Sequence, residues 1–355
     1  MLADLPPLDT ELLPLLDLSS PSLSSHASIA ERFDSISEHL FQRCYLVCCS
    51  TKSDGSPRRV LYELLEFEFY LIKVDCHSDP FTHDGAEQRL SGSWYFHRVP
   101  RHRNPPNSGL PAYRGGSRKG LDLTIGMLDS PDPSITKPVP VRGGILLRTL
   151  RRVSDSTVIS GPSLLVDELL RASGAADIPE LVDKTWRGNI SAFRSPSTTE
   201  GPDSNPSTLY MGTRETRAQT AQTYKSPRVG IDLSHPSTRL DPSDGRVRFV
   251  SKPYRYFVHP RRLTANGRGH TFLGVHDHCA NALQLSKTPA ALAGKIADLT
   301  GLQPHTVDKY LKTYREALDS GELDGFVGFR GKGAGSSPNT FLQLMGALQR
   351  RKLVR

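Results

Sequence analysis

The residue types best suited to chemistry lie in one stretch of the chain, which begins with the sequence EFEFY at residues 66–70. In an extended strand alternate residues share a face, so Glu66, Glu68 and Tyr70 point to one side and the two phenylalanines to the other. Further imidazole and aromatic rings follow at His77, His83, Trp94, Tyr95, Phe96 and His97. A carboxylate followed closely by several flat rings suits a pocket for a nucleobase turned out of its stack. Taken alone, the strand is more typical of a half-buried strand whose acidic face is solvated.

Helices and strands must position these side chains, and the pattern of apolar residues predicts where they lie. The predicted elements are a helix over 28–41 with a capping box formed by Ser28 and Glu31, strands over 44–49, 59–73, 121–125 and 143–152, a helix from Ser160 to Gly174, and strands over 228–233 and 246–259. The strand over 143–152 reads GGILLRTLRR, and its consecutive apolar residues indicate that it is buried. Arg148 lies inside it, and a buried arginine normally needs a carboxylate or phosphate partner.

A basic segment rich in glycine and proline follows the aromatic residues. Its candidate contacts to a nucleic-acid backbone are Arg98, Arg101, Arg114, Arg118 and Lys119. The glycines expose the main chain there and let it approach phosphates closely. A flexible, solvated loop is the alternative, and for any single arginine it is the simpler interpretation.

The overall composition restricts the class of protein. The 355 residues include 37% hydrophobic side chains, enough for the core of one large domain or two smaller ones. Lysine and arginine (45) outnumber aspartate and glutamate (37), and the net charge of +8 favours a polyanionic partner. Five cysteines without metal-finger spacing or a disulfide framework favour a reducing compartment, the nucleus or the cytoplasm. The N-terminal residues do not resemble a secretion signal, and no apolar run is long enough to span a membrane.

Changes in composition divide the chain into three parts. Residues 1–27, rich in leucine, proline and serine, are expected to form a flexible N-terminal tail. Residues 28–262 are expected to form the main domain, with a Ser/Thr/Pro-rich surface insertion at 187–227. Residues 263–355 are expected to form a helical extension with a basic tail.

The extension contains a helix-turn-helix pattern. Two helices are predicted over 289–299 and 304–318, joined by four residues. The second carries Lys309, Lys312 and Arg315, which could face a DNA backbone. A plain helical hairpin packed on the main domain explains the same pattern equally well.

The order of several short motifs resembles that of the alkyladenine (3-methyladenine) DNA glycosylase family. The matching motifs are EFEFY at 66–70, the D-P-x-x-H sequence ending at His83, GSWYFH at 92–97, GGILLRTL at 143–150, SGPSLL at 160–165, and PRVGI followed by KPYRYFV. Their shared order between Ile29 and Arg262 makes a chance match less plausible than any one motif would. The resemblance implies an α+β fold with a single curved mixed or antiparallel sheet and packed helices, similar to the formyltransferase C-terminal barrel, followed here by the helix-turn-helix-like extension.

The resemblance also implies roles for individual residues and an activity. The implied roles are activation of the attacking water by Glu68, support of Glu68 or of a flanking phosphate by Arg148, stacking on the flipped base by Tyr70 and His83, an aromatic pair at Tyr95 and His97, and a pocket floor at Asp122. The expected reaction is hydrolysis of the N-glycosidic bond of an alkylated purine in double-stranded DNA, by a monomer that needs neither a metal nor an organic cofactor.

Departures from the family keep two other functions open. His97 stands where the family has a tyrosine, Asp122 replaces an asparagine, and a basic loop from Arg98 to Gly116 replaces a tyrosine-rich strand. These changes favour a nucleic-acid-binding protein that keeps the glycosylase-like fold without turnover. The other alternative is a metal hydrolase with ligands from one of two sets: Asp75, Cys76, His77, Asp79 and His83, or His276, His278 and Cys279. Neither set has the helical i, i+4 spacing of a zinc motif.

Overall fold

The computed structural model describes residues 8–51, 54–83, 85–99, 112–128, 141–193, 208–214, 221–263, 267–285, 288–333 and 337–353. The chain forms two compact units. The first comprises Met1–Ser78 and Thr82–Thr220, and the second comprises Asp79–Phe81 and Ala221–Arg355. The chain therefore leaves the first unit at Asp79, re-enters it at Thr82, and passes finally into the second unit at Ala221.

A large antiparallel sheet is the framework of the first unit. Its described strands are β1 (Cys44–Thr51), β2 (Pro57–Lys73), β3 (His77–Ser78), β4 (Trp94–Phe96), β5 (Leu121–Thr124), β6 (Val141–Arg152), β7 (Val158–Ser160) and β8 (Thr208–Thr213). The order across the sheet is β4-β5-β6-β2-β1-β8, while β3 pairs with β2 and β7 with β6. Every one of these pairings is antiparallel. The α+β class expected from the sequence is confirmed.

Helices pack on this sheet and show which face of β2 is buried. The described α-helices of the first unit are α1 (Leu12–Leu15), α2 (His26–Arg43) and α3 (Pro162–Ser173). Phe33 of α2 stacks on Phe69 with ring centroids 4.1 Å apart, and Phe41 stacks on Phe67 at 4.6 Å. The phenylalanine face of β2 is therefore buried against α2, which leaves the glutamate face on the other side of the sheet, as the alternation predicted.

The N-terminal segment is packed from Leu8 onward. Leu16 is buried, and the Asp9 carboxylate lies 2.8 Å from His39 Nε2 and accepts a hydrogen bond from the Cys44 thiol at 3.2 Å. This arrangement differs from the flexible tail expected over 1–27, because Leu12, Leu16, Leu18 and Leu23 are buried.

The second unit is mainly helical. Its described elements are the strands β9 (Tyr224–Ser226) and β10 (Arg255–Phe257), which pair antiparallel, and the helices α4 (Gly245–Phe249), α5 (Arg268–Asp277), α6 (Pro289–Thr300), α7 (Pro304–Ser320) and α8 (Pro338–Leu353). None of the helices in the described parts of the chain combines the length and hydropathy needed to cross a bilayer.

Several local predictions need correction. The strand predicted over 228–233 is absent, and residues 246–259 contain α4 followed by β10. The predicted surface insertion, 187–227, includes β8, which pairs with β1 inside the sheet. The first long helix is capped by Ser25 and Ser28, so the capping box begins three residues before the predicted Ser28.

Candidate active site

Arg148 lies buried between two glutamates of β2. Its Nε is 2.9 Å from Glu66 Oε1 and 3.4 Å from Glu68 Oε1. The Tyr70 hydroxyl donates to Glu68 Oε2 at 2.8 Å, and the Thr149 hydroxyl donates to Glu66 Oε2 at 2.5 Å. Glu68 is 0% exposed and Arg148 5%. The charges thus enter the interior paired and hydrogen-bonded, as buried charges must.

The same pairing keeps the guanidinium ionised. Burial acts to lower the pKa of Arg148, but the carboxylates of Glu68 and Glu66 outweigh it and raise that pKa above its ordinary value. A fixed positive charge therefore faces the Glu68 carboxylate.

A bulge in β6 allows two consecutive residues to reach one carboxylate. Glu66 pairs with Thr149, but Phe67 pairs with Leu147, so Arg148 is passed over in the register. In a regular strand consecutive side chains point to opposite faces, whereas Arg148 and Thr149 both bind Glu66. The irregularity re-aims Arg148 toward the acidic face of β2.

A second group, here called the ring cluster, consists of His83, Tyr95 and His97 with the carboxylate of Asp122. The ring centroids of His83 and His97 lie 4.3 Å apart, and those of His83 and Tyr95 6.4 Å apart. His97 Nε2 lies 2.9 Å from Asp122 Oδ1, and Gln88 Nε2 donates to Asp122 Oδ2 at 3.1 Å. The predicted base-binding residues of this part of the chain are therefore brought together.

Burial keeps two of the rings neutral. It raises the pKa of Tyr95 to about 12, and Asp122 acts in the same direction. It lowers the pKa of His83 to about 4, with His97 reinforcing the effect. At neutral pH both rings are uncharged, which suits them to stacking on a flat ligand.

The register of the sheet relates the ring cluster to Glu68. Tyr95 pairs with Asp122, Asp122 with Leu146, and Leu146 with Glu68. Directly paired residues place their side chains on the same face. Because neighbouring strands are about 4.8 Å apart, Asp122 and Glu68 are separated by roughly 10 Å across the sheet, with Leu146 between them.

Two glycines make room for the ring cluster. A Cβ at Gly144 would lie 2.6 Å from Asp122 Oδ2, and a Cβ at Gly120 would lie 2.6 Å from the His97 ring. Any larger residue at these positions would collide with the polar pair that joins Asp122 to His97.

Arg98 and Arg114 flank the ring cluster, and their positive charge is partly compensated. Arg98 Nε donates to Glu87 Oε1 at 3.1 Å, and its guanidinium lies 4.2 Å from the centre of the Tyr113 ring. The main chain of Arg114 donates to the His97 carbonyl, and its Nε donates to the Arg98 carbonyl at 2.9 Å. Both arginines therefore help to hold the loop that leaves β4.

The other predicted backbone contacts differ in their surroundings. Lys119 forms an ion pair with Asp167 of α3, whereas Arg118 is exposed. Arg101 lies outside the described residues.

Some residues of the site were missed by the sequence analysis. Gln88, which fixes Asp122, lies in a 3-10 helix over Ala86–Arg89, and nothing in its local sequence marks it. Thr149, the second partner of Glu66, was hidden by the bulge. Glu66 was placed on the correct face, but its role as a partner of Arg148 follows only from the pairing of β2 with β6.

The structure does not bring together either set of candidate metal ligands within the described ranges. Asp79 instead binds Arg228, at 2.5 and 3.2 Å. In the same described ranges, the ligand-type side chains close enough to hold a metal are Asp9, His39 and Cys44. Direct hydrogen bonds already connect these three.

Comparison with known proteins adds little about activity. No family model and no solved structure matches the chain. The chain is similar to an uncharacterized protein of Acanthamoeba polyphaga mimivirus, with 27% identity over 229 residues, which cover 64% of this chain and 85% of the viral protein. This similarity identifies no reaction, so the functional conclusion depends on the geometry of the site.

Proposed function

We propose that the protein is a monofunctional DNA N-glycosylase that flips an alkylated purine out of double-stranded DNA and hydrolyses its N-glycosidic bond, as in base-excision repair. The observation that carries the proposal is the position of Glu68. Its carboxylate is held by Tyr70 and Arg148 on the sheet face that also carries Asp122 and Tyr95. A base stacked in the ring cluster would place its sugar over Leu146, toward the carboxylate.

The chemistry of the bond explains why a carboxylate is needed there. Cleavage of a purine N-glycosidic bond builds positive charge on the sugar, which a nearby carboxylate stabilises while it orients the attacking water. An alkylated purine is already cationic, so it leaves readily and stacks well on electron-rich rings. Tyr70 and Arg148 would hold the Glu68 carboxylate in this orientation until the extruded nucleotide is bound.

A second candidate is a nucleic-acid-binding protein without turnover. It is favoured by the burial of Glu68, which is 0% exposed and engaged through both carboxylate oxygens. Catalysis requires that water reach this carboxylate, so binding of the extruded nucleotide must draw the Tyr70 hydroxyl or the Arg148 guanidinium away from it. A binding protein requires no such rearrangement.

We further infer that the sheet is a barrel of the formyltransferase C-terminal type. Residues 190–192 support this, because their main chain is hydrogen-bonded to both strands at the ends of the sheet order, β4 and β8. The main chain of Trp94 on β4 donates to the Ile190 carbonyl, and that of Met211 on β8 donates to the Ala192 carbonyl.

We also infer that α6 and α7 form a helix-turn-helix that contacts the DNA backbone. The protein would act as a monomer, in the nucleus or the cytoplasm. The two helices are separated by a short turn in which Gly301 has φ +70°, and Lys309, Lys312 and Arg315 of α7 are exposed. Lys312 lies 3.9 Å from Glu316, a weak surface pairing that leaves the cation accessible.

Release of a damaged base by a Glu68→Gln variant tests the proposal. The amide can neither stabilise the sugar cation nor activate water, so we expect base release to fall by at least about a hundredfold. Duplex binding should be retained. The measurement is alkaline strand cleavage after incubation with duplex DNA containing a methylated adenine.

Glu63→Gln is the matched control. Glu63 lies on the same strand and is paired with Arg151 and Arg214, away from the ring cluster. It should release base at the wild-type rate. Wild-type protein that binds the duplex without cleaving it would favour the binding protein, and full activity in Glu68→Gln would exclude the assigned mechanism.

A further inference from the structure

A cavity lined by arginines lies on the first unit at the end of α3 that is remote from Arg148. Its volume is about 440 Å³, and its lining includes Arg58, Arg59, Arg152 and Arg171 together with Asp155. A cavity of this size falls within the range of small-molecule binding sites. It is formed where the β1–β2 hairpin and the turn after β6 meet the last turn of α3.

A buried glutamate orients two of these arginines. Glu168 accepts from Nε and Nη2 of Arg171 at 3.1 and 2.6 Å, and from Nε and Nη2 of Arg152 at 3.2 and 2.7 Å. The Tyr62 hydroxyl donates to the same carboxylate at 2.6 Å. The guanidinium groups are thus held in place before any ligand binds, which lowers the entropy lost on binding.

Arg58 adds a third fixed guanidinium. Its Nη1 donates at 3.2 Å to the carbonyl of Arg171 in the last turn of α3. A guanidinium carries five N–H donors, so this bond engages only part of its capacity. Arg59, the next residue, is exposed at the rim.

The balance of charge at this cavity is positive. Four guanidinium groups line it, against the carboxylates of Asp155 and the underlying Glu168. The guanidinium groups outnumber these two carboxylates by two. Arginine forks of this kind match the oxygens of a phosphate group.

We propose that this cavity is a phosphate-binding site, separate from the site around Glu68. The twelve residues of α3 separate the two, since Gly161 at the start of the helix donates to the Arg148 carbonyl and Arg171 lies in its last turn. At 1.5 Å per residue the helix is about 18 Å long. Along β6, Arg152 of the cavity is four residues from Arg148, about 13 Å away. If the proposed function holds, the phosphate belongs to the DNA strand a few nucleotides from the flipped base; a free phosphate compound is the other source of the same chemistry.

The test compares Arg59→Gln/Arg171→Gln with the wild-type protein. Both side chains are exposed, so the variant is expected to fold normally. The matched control is Arg239→Gln/Arg330→Gln, which removes two exposed arginines from the second unit. A third variant, Arg59→Lys/Arg171→Lys, keeps the charge and loses the planar fork.

Two measurements distinguish the sources of the phosphate. The first is calorimetric titration with inorganic pyrophosphate. The second is binding of a 24-base-pair undamaged duplex as a function of salt, where each lost phosphate contact lowers the slope of log Kobs against log salt by about 0.9.

A loss of about tenfold in pyrophosphate affinity in the Gln variant alone, with partial recovery in the Lys variant, supports the site. A lower salt slope in the same variant identifies the phosphate as that of the nucleic acid, and an unchanged slope identifies a free phosphate compound. Equal pyrophosphate binding and equal slopes in all proteins would overturn the proposal. Neither measurement depends on base release, so both can be interpreted even if the protein has no glycosylase activity.

Discussion

His83 shows how one side chain of the ring cluster is tuned by its surroundings. Burial lowers the pKa of its imidazole from 6.5 to about 4, and the neighbouring His97 acts in the same direction. In the unfolded chain the imidazole takes up a proton near pH 6.5. Between these two values the unfolded state binds more protons than the folded state, so acid favours unfolding.

We expect the free energy of unfolding to fall as the pH is lowered from 6.5 to 4, by on the order of 2 kcal/mol from this residue. His83→Asn should reduce that dependence, because the amide does not titrate. Urea denaturation at a series of pH values measures it. His305→Asn, at an exposed position of α7, is the matched control; equal curves for all three proteins would contradict the assignment.

The sequence predicted individual residues well where a strand pattern carried the information. The shared face of Glu66, Glu68 and Tyr70 follows from simple alternation, and Arg148 was marked by its apolar neighbours. Partners that come from distant segments carried no such signal. Gln88 is the example, since its bond to Asp122 depends on how a 3-10 helix lies against β5.

At the scale of elements, the pairing of strands in the sheet sets contacts that the sequence of a single strand does not predict. Strands β1, β2, β5 and β6 follow from hydrophobic periodicity. The bulge at Arg148 depends on the register between β2 and β6, which are far apart in sequence. Residues 246–259 were predicted as a strand because their aromatic and apolar residues favour one. In the structure the Asp244 side chain caps the helix α4 instead.

Gly144 provides a test at this scale, because it lets Asp122 lie against β6. Gly144→Ala would bring a Cβ to 2.6 Å from Asp122 Oδ2. We expect a loss of about 1–3 kcal/mol in stability and a slower release of base, since the carboxylate that holds His97 is displaced. Thermal unfolding and the base-release assay measure the two effects.

Gly294→Ala is the matched substitution. Gly294 is an exposed residue inside α6, and a Cβ there would meet nothing within 4 Å. It should stabilise the protein by about 0.5–1 kcal/mol through helix propensity, without an effect on activity. A Gly144→Ala protein as stable and active as wild type would show that Asp122 can move without consequence.

At the scale of the whole molecule, composition predicts the division of the chain into units only approximately. Composition predicts a boundary after residue 262, whereas the second unit resumes at Ala221 and also includes Asp79–Phe81. The sequence around β8 is rich in serine, threonine and proline, so this strand was not predicted. Composition alone cannot show that residues 208–213 pair with β1.

The ion pair of Asp79 and Arg228 within the second unit is expected to be important for stability. Both side chains are 0% exposed, and the contact has two oxygen–nitrogen distances, 2.5 and 3.2 Å. Asp79→Ala leaves a buried guanidinium without its carboxylate, so we expect a loss of about 3–5 kcal/mol, measured by urea denaturation.

Asp298→Ala is the control for that measurement. Asp298 forms exposed ion pairs with Arg261 and Lys295 in the same unit, so its removal should change stability by less than about 1 kcal/mol. Similar small losses in both variants would mean that Arg228 finds other partners when Asp79 is removed.

Because Asp79–Phe81 belong to the second unit, the residue types at positions 79 and 228 should change together in related proteins. Asp79 stands four positions before His83, while its partner Arg228 is encoded about 150 positions later. A gene shortened after residue 220 would keep the aspartate and lose the arginine. Lineages that lost the residues after 220 should therefore also have replaced the residue at position 79, and those that retain an acid there should retain a cation at 228.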